Sequence, residues 1–133
     1  NLAPLPKPET EPFIMLQPAQ NAAVVRWIAK HSKRPMNASQ LWAELFTAAH
    51  PSTGDILLTR AELAARLGLE PRTISELMTE LAGINAITRR KEGRRVIYAM
   101  NPNVATHIAG PEARKAARDA AGPLLTLMEG GKT

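Results

Sequence analysis

The stretch TRAELAARLGLEPRTISELMTELAGINAI, Thr59 to Ile87, decides the fold. Thr59 and Glu62 stand in the T-x-x-E spacing of a capping box, in which hydroxyl and carboxylate each accept from an N–H group left free at a helix start. Leu63, Ala64 and Leu67 then form the apolar stripe of a helix about two turns long. Gly68 occupies the position where a left-handed residue stops such a helix. Leu69 can plug the corner, and Pro71 suits the first turn of a next helix, where its missing N–H costs nothing. Ile74, Leu77, Met78 and Leu81 give that second helix its buried side. A short capped helix, a glycine corner and a second helix form the helix-turn-helix arrangement. A helical hairpin in an ordinary all-α domain shares these features, so the next segment matters.

That segment is TRRKEGRRVIYAMNP, Thr88 to Pro102. Ile84 and Ile87 carry the apolar pattern up to it. Arg89, Arg90, Lys91, Arg94 and Arg95 against Glu92 then give a net charge of +4 across seven residues. A two-residue loop at Glu92-Gly93 would place Lys91 opposite Arg94 and Arg90 opposite Arg95. Like charges facing each other across strands destabilise a free hairpin, and a polyanion would relieve that strain. Ile87, Val96, Tyr98 and Met100 would form the inner side that anchors the hairpin to the core. A helix-turn-helix followed directly by a basic hairpin is the winged-helix order. The expected fold class is therefore mainly α with a small β hairpin, a winged helix-turn-helix.

The outward side of the second helix follows by subtraction: Arg72, Thr73, Ser75, Glu76 and Thr79. In this motif the N-terminal part of the second helix enters the major groove of double-stranded DNA. Arg72 is the expected base reader, because its planar fork matches guanine O6 and N7. Thr73 and Ser75 can bond phosphates or base edges. Glu76 can accept from a cytosine amino group, hold Arg72 through an i, i+4 contact, or stay a solvated charge. The wing residues Arg89, Arg90, Lys91, Arg94 and Arg95 supply a sequence-independent term, since each neutralised phosphate releases counterions. An arginine at the tip can also enter the minor groove.

Elsewhere the reading is coarser. Pro4, Pro6, Pro8 and Pro12 mark residues 1–12 as an extended, mobile tail. Residues 13–109 then form the DNA-binding domain, and 110–133 a C-terminal helix and tail. Phe13 to Leu16 resembles a short strand. Over Ala22 to Ala29, Val24, Val25 and Ile28 fit a helical face, while Ala23, Val25, Trp27 and Ala29 fit a strand equally well; helix is preferred, ending by Pro35. Ala38, Leu41, Trp42, Leu45, Phe46 and Ala49 predict an amphipathic helix capped by Asn37 or Ser39. DILLT, from Asp55, is a candidate strand. Pro111 to Ala121 predicts a further helix between Gly110 and Gly122, with Arg114, Lys115 and Arg118 along a basic side that either touches DNA backbone or, the preferred reading, is a solvated face. Leu124, Leu125, Leu127 and Met128 are candidates for packing on the domain or on a second subunit. A homodimer would match paired DNA half-sites.

Composition sets outer bounds. The chain has 133 residues, a net charge of +5 and no cysteine, which suits one domain with acidic partners and excludes disulfides and thiolate metal sites. A second basic run holds Lys30, His31, Lys33 and Arg34. His31, His50 and His107 stand in no metal-ligand spacing. The ending EGGKT lacks the glycine a phosphate loop needs five residues before Gly131, where Thr126 stands. No enzyme chemistry, cofactor or metal is expected. No apolar run nears the roughly 20 residues that span a bilayer, and no signal-peptide pattern opens the chain. The expected partner is double-stranded DNA, with no membrane, in the cytoplasm.

The T-x-A-E-L-A-x-x-L-G helix, the T-I-S core of the next helix and a wing strand closing in Asn101-Pro102-Asn103 resemble one family. They are similar to the winged-helix proteins of bacterial plasmid replication, the RepL-like replication or maintenance group. The resemblance covers residues 38–105. Its helix-turn-helix part is shared with many transcriptional regulators, and the Asn-Pro-Asn ending is the more particular element. The resemblance implies binding to origin or operator DNA, to start replication or control it, without a cofactor.

Overall fold

A computed structural model of the chain describes residues 2–5, 7 and 14–125. Five helices and two small antiparallel ribbons follow in the order β1 (Met15–Leu16), α1 (Pro18–His31), α2 (Pro35–Ala48), α3 (Arg60–Leu67), α4 (Pro71–Gly83), β2 (Ile87–Glu92), β3 (Arg95–Met100), β4 (Ala105–Thr106) and α5 (Pro111–Ala121). The architecture is mainly helical with a two-stranded hairpin, and is compatible with a winged helix.

Proline starts four of the five helices. Pro18, Pro35, Pro71 and Pro111 each occupy the first helical position, where the fixed φ is already helical and no N–H is lost. Pro35 therefore opens α2 rather than closing α1, which stops at His31. This also corrects the expected cap. Arg34 is the N-cap residue of α2, and Asn37 and Ser39 lie inside the helix. α3 begins as expected: Glu62 N–H donates to Thr59 Oγ1 at 3.0 Å, and Thr59 N–H donates to Glu62 Oε1 at 2.8 Å. It ends at Gly68 in the left-handed region, φ 67° and ψ 34°.

The helical reading of α1 holds, with a narrower buried side. Val24 and Ile28 are buried while Val25 is exposed. These two join Leu41, Trp42 and Leu45 of α2, Leu63 of α3, and Ile74, Leu77, Met78 and Leu81 of α4 in one core. Ile87 and Met100 seat the base of the hairpin in the same core. The strand expected at Asp55 is reduced to isolated bridges, Ala49 with Ile56 and Asp55 with Ala99. Those bridges still matter, because Ile56 N–H donates to Tyr98 O and Met100 N–H donates to Gly54 O. Strand β3 thus lies between β2 and this short segment. The strand expected from Phe13 forms at Met15–Leu16, paired with Thr106 and Ala105. Phe13, Leu127 and Met128 lie outside the described residues. So does most of the expected tail, of which residues 2–5 and 7 carry no regular secondary structure.

Three asparagines tie α5 to this core. Asn101 is fully buried, and its Nδ2 donates to Asn85 O at 2.7 Å and Gly122 O at 3.0 Å. Asn103 Nδ2 donates to Arg118 O and Gly122 O, and Asn85 Nδ2 donates to Ala121 O and Pro123 O. The last carbonyls of a helix have no intrahelical partner, and these amides supply donors to Ala121 O and Gly122 O, while Arg118 O also accepts from the Gly122 N–H. Leu125 N–H donates to Ile84 O, and Leu124 packs on the core while Leu125 stays exposed. Asn101→Ala should cost about 2–3 kcal/mol in urea unfolding, because Asn85 O loses the amide that donates to it and the Asn103 N–H loses its acceptor. It should also expose amides of α5 to hydrogen exchange before those of α4. Equal protection of both helices in the variant would contradict the clamp.

Candidate nucleic-acid interface

The expected contact residues lie on two elements, α4 and the β2–β3 hairpin. On α4, burial of Ile74, Leu77, Met78 and Leu81 leaves Arg72, Glu76 and Thr79 exposed, with Thr73 and Ser75 half-buried at the edges. Arg72 is 88% exposed, and its Nε lies 3.7 Å from Glu76 Oε2. Such a loose surface pair contributes little and can be given up to a ligand. Thr79 Oγ1 donates back to Ser75 O at 2.9 Å. Ser75 Oγ is already engaged, accepting from Arg60 Nη1 at 2.8 Å. Arg60 is a residue that the sequence reading missed. It follows the Thr59 cap and precedes Ser75 by 15 residues, a distance over which no local pattern reports contact.

The hairpin register differs from the expected one. The loop is Gly93-Arg94, so Glu92 faces Arg95, Lys91 faces Val96, Arg90 faces Ile97 and Arg89 faces Tyr98. Gly93 has φ 65° at the first loop position, which suits the turn that takes glycine there. One residue of slip replaces the like-charge pairs Lys91–Arg94 and Arg90–Arg95 with one opposite-charge pair. The cross-strand repulsion expected from the sequence is therefore absent.

Arg90 has a different role from its neighbours. Its Nη1 and Nη2 donate to Asp55 Oδ1 and Oδ2 at 2.8 and 2.9 Å, and its Nε donates to Glu92 Oε2 at 3.0 Å. This bidentate pair fastens β2 to the Asp55–Ile56 segment across β3. The Arg90 guanidinium holds the Asp55 carboxyl below the usual carboxylate range, and Asp55 and Glu92 push Arg90 further up. Arg89, Lys91, Arg94 and Arg95 are exposed and form no ion pair among the described residues. Four of the five expected phosphate-contacting side chains are thus unpaired among the described residues, and the fifth secures the hairpin that carries them.

Between α3, α4 and the hairpin lies a crevice of about 300 Å³, walled by Leu63, Ile74, Met78 and Tyr98, with Arg60 and Arg89 on its lining. Tyr98 is half-buried there, consistent with a packing residue. The C-terminal basic side behaves otherwise than expected. Arg114 Nη1 donates to Ile108 O, Arg118 Nε donates to Pro102 O, and Lys115 pairs with Asp119. The two arginines are half-buried supports, and only Lys115 lies on a solvated face.

No family model, no curated protein and no solved structure matches the chain. Among the described residues, no helix is long and apolar enough to cross a membrane. Among the same residues, no group of three or more His, Asp or Glu could hold a metal ion.

Asp55→Asn should lower the unfolding temperature at pH 7 while leaving the α3–α4 packing intact. The folded-state value of Asp55 is depressed, so its contribution is complete above the ordinary value of 3.8 and is lost as pH falls through the depressed one. The gap between native and variant chains should therefore close in acid, below that value. A gap that stays constant from neutral pH into strong acid would show that the pair carries no such stability.

Proposed function

We propose that the chain is a winged-helix protein that binds double-stranded DNA with sequence preference, α4 acting as recognition helix and the β2–β3 hairpin as wing. One observation carries this reading: an exposed helix face holding Arg72, Glu76 and Thr79 stands beside a hairpin whose Arg89, Lys91, Arg94 and Arg95 are unpaired. Phosphate contacts position a protein on the duplex, and base-edge contacts specify the sequence. The wing has the chemistry for the first task and Arg72 for the second.

The proposed division of labour revises the roles within the wing. Arg90 acts as a strut, and Arg89, Lys91, Arg94 and Arg95 face phosphate. Control or initiation of plasmid replication is the purpose implied by the resemblance to RepL-like proteins. A transcriptional repressor would use the same groove contacts. A winged helix that binds only a protein partner fits less well, because the buried cores of protein interfaces are depleted in charged residues and this hairpin concentrates unpaired charge around its tip.

Fluorescence anisotropy with random and selected duplexes across a salt series tests the reading. Affinity should fall steeply between about 50 and 200 mM salt. Arg72→Ala should lose about 1–3 kcal/mol of discrimination at one base pair and little elsewhere. Arg94→Ala with Arg95→Ala should weaken all duplexes alike and flatten the salt slope by about 1.8. Absence of duplex binding at low salt, or binding indifferent to salt, would overturn the proposal.

A further inference from the structure

The second basic run occupies the turn between α1 and α2. Lys30, Lys33 and Arg34 are exposed there and form no ion pair among the described residues. Arg26, four residues before Lys30 and so on the same side of α1, is exposed as well. His31 is set apart, its ring 5.6 Å from that of Trp27.

This turn is fastened to α4. Ser32 Oγ donates to Glu80 Oε1 at 2.6 Å, and Lys33 N–H donates to Glu80 Oε2 at 3.1 Å. Arg34 N–H donates to Ser32 Oγ at 3.1 Å, closing the turn on itself. Glu80 is thus held by a hydroxyl and a backbone N–H, and the three basic side chains keep their charge. Their position relative to α4 is fixed by side chains that are not themselves the cations.

The two basic elements lie on opposite flanks of α4. Ser75 lines the crevice that also holds Arg89 and Val96 of the hairpin. Glu80 holds the α1–α2 turn. Five residues at 3.6 per turn place these two positions roughly 140° apart around the helix. Arg72 and Glu76 fall between them, on the face directed away from the core. A helix lying in the major groove is bounded by two phosphate backbones about 12 Å apart. The hairpin flanks one side of α4 and the α1–α2 turn the other, so each stands nearest a different backbone.

We infer that Lys30, Lys33 and Arg34 form a second phosphate-binding patch that grips the opposite backbone of the same groove. This inference rests on the proposed DNA-binding reading and extends it: α4 is clamped between two cationic supports rather than steadied by one wing. The patch reads no sequence. It adds counterion release and fixes the angle at which α4 enters the groove.

The test replaces Lys30, Lys33 and Arg34 together with Gln in the full chain. Among the described residues none of these side chains makes an ion pair, all three are exposed, and the Lys33 N–H is retained, so thermal unfolding should match the native chain. In salt-series anisotropy with a random duplex, the slope should become shallower by about 2.7, three phosphate contacts at about 0.9 each. Base preference at the Arg72 position should be unchanged. Ethylation interference should lose contacts along one backbone only, the one away from the hairpin. Lys30→Arg with Lys33→Arg, which keeps the charge, should retain the native slope. An unchanged slope in the Gln variant, with native duplex binding intact, would overturn the second patch and leave the DNA reading standing. A flattened slope in the Arg variant would overturn it too. A native chain that binds no duplex would overturn both.

Discussion

The left-handed backbone at Gly68 is the constraint from which the rest of the structure follows. Its φ of 67° is a conformation that side-chain-bearing residues rarely adopt, and no neighbouring atom lies within 4 Å of where a Cβ would stand. The glycine is there for conformation, not for space. By ending α3 after eight residues it turns the chain back, so that Pro71 can open α4 almost at once. The capping box at Thr59 fixes the other end of α3. With both ends set, Ile74, Leu77, Met78 and Leu81 can enter the core only from one side of α4. The exposure of Arg72 and Glu76 is a consequence of that packing.

Charge placement follows the same logic. Five cations near one turn repel each other, and the fold answers in two ways. The Gly93-Arg94 loop sets Glu92 across from Arg95, and Arg90 is given up to Asp55. The hairpin is thereby held at both ends. Its base is in the core through Ile87 and Met100, and its middle is tied to the Asp55–Ile56 segment. The remaining cations stand on a supported ribbon. Holding the ribbon in place before a ligand arrives lowers the ordering cost that binding would otherwise incur.

Much of the central architecture was legible in the sequence because its signals are local. The Thr59–Glu62 box, the Gly68 stop, the Pro71 start and the burial of Ile74 to Leu81 each depend on residues within a few positions of one another. The hairpin register was misread because Glu92-Gly93 and Gly93-Arg94 both place glycine in a two-residue loop. Only the pairing of the flanking strands selects between them. The role of Arg90 was hidden for a plainer reason, since Asp55 lies 35 residues away. The ties of Asn85 and Asn101 to the end of α5, and of Glu80 to the α1–α2 turn, span comparable distances. Pro35, expected at the end of the first helix, instead starts the second, as Pro18, Pro71 and Pro111 start theirs. Whether the outward face of α4 touches DNA is a question of partner, which neither periodicity nor packing encodes.

The proposed function requires α4 and the basic hairpin to meet one duplex as one surface. Amide chemical-shift mapping of the isotope-labelled chain, titrated with duplex DNA at low and then rising salt, tests it most directly. Shifts should concentrate at Arg72 to Thr79 and at Arg89 to Arg95, appearing together and fading together as salt rises. Shifts confined to other elements such as α5 and β1, or none at low salt, would contradict it.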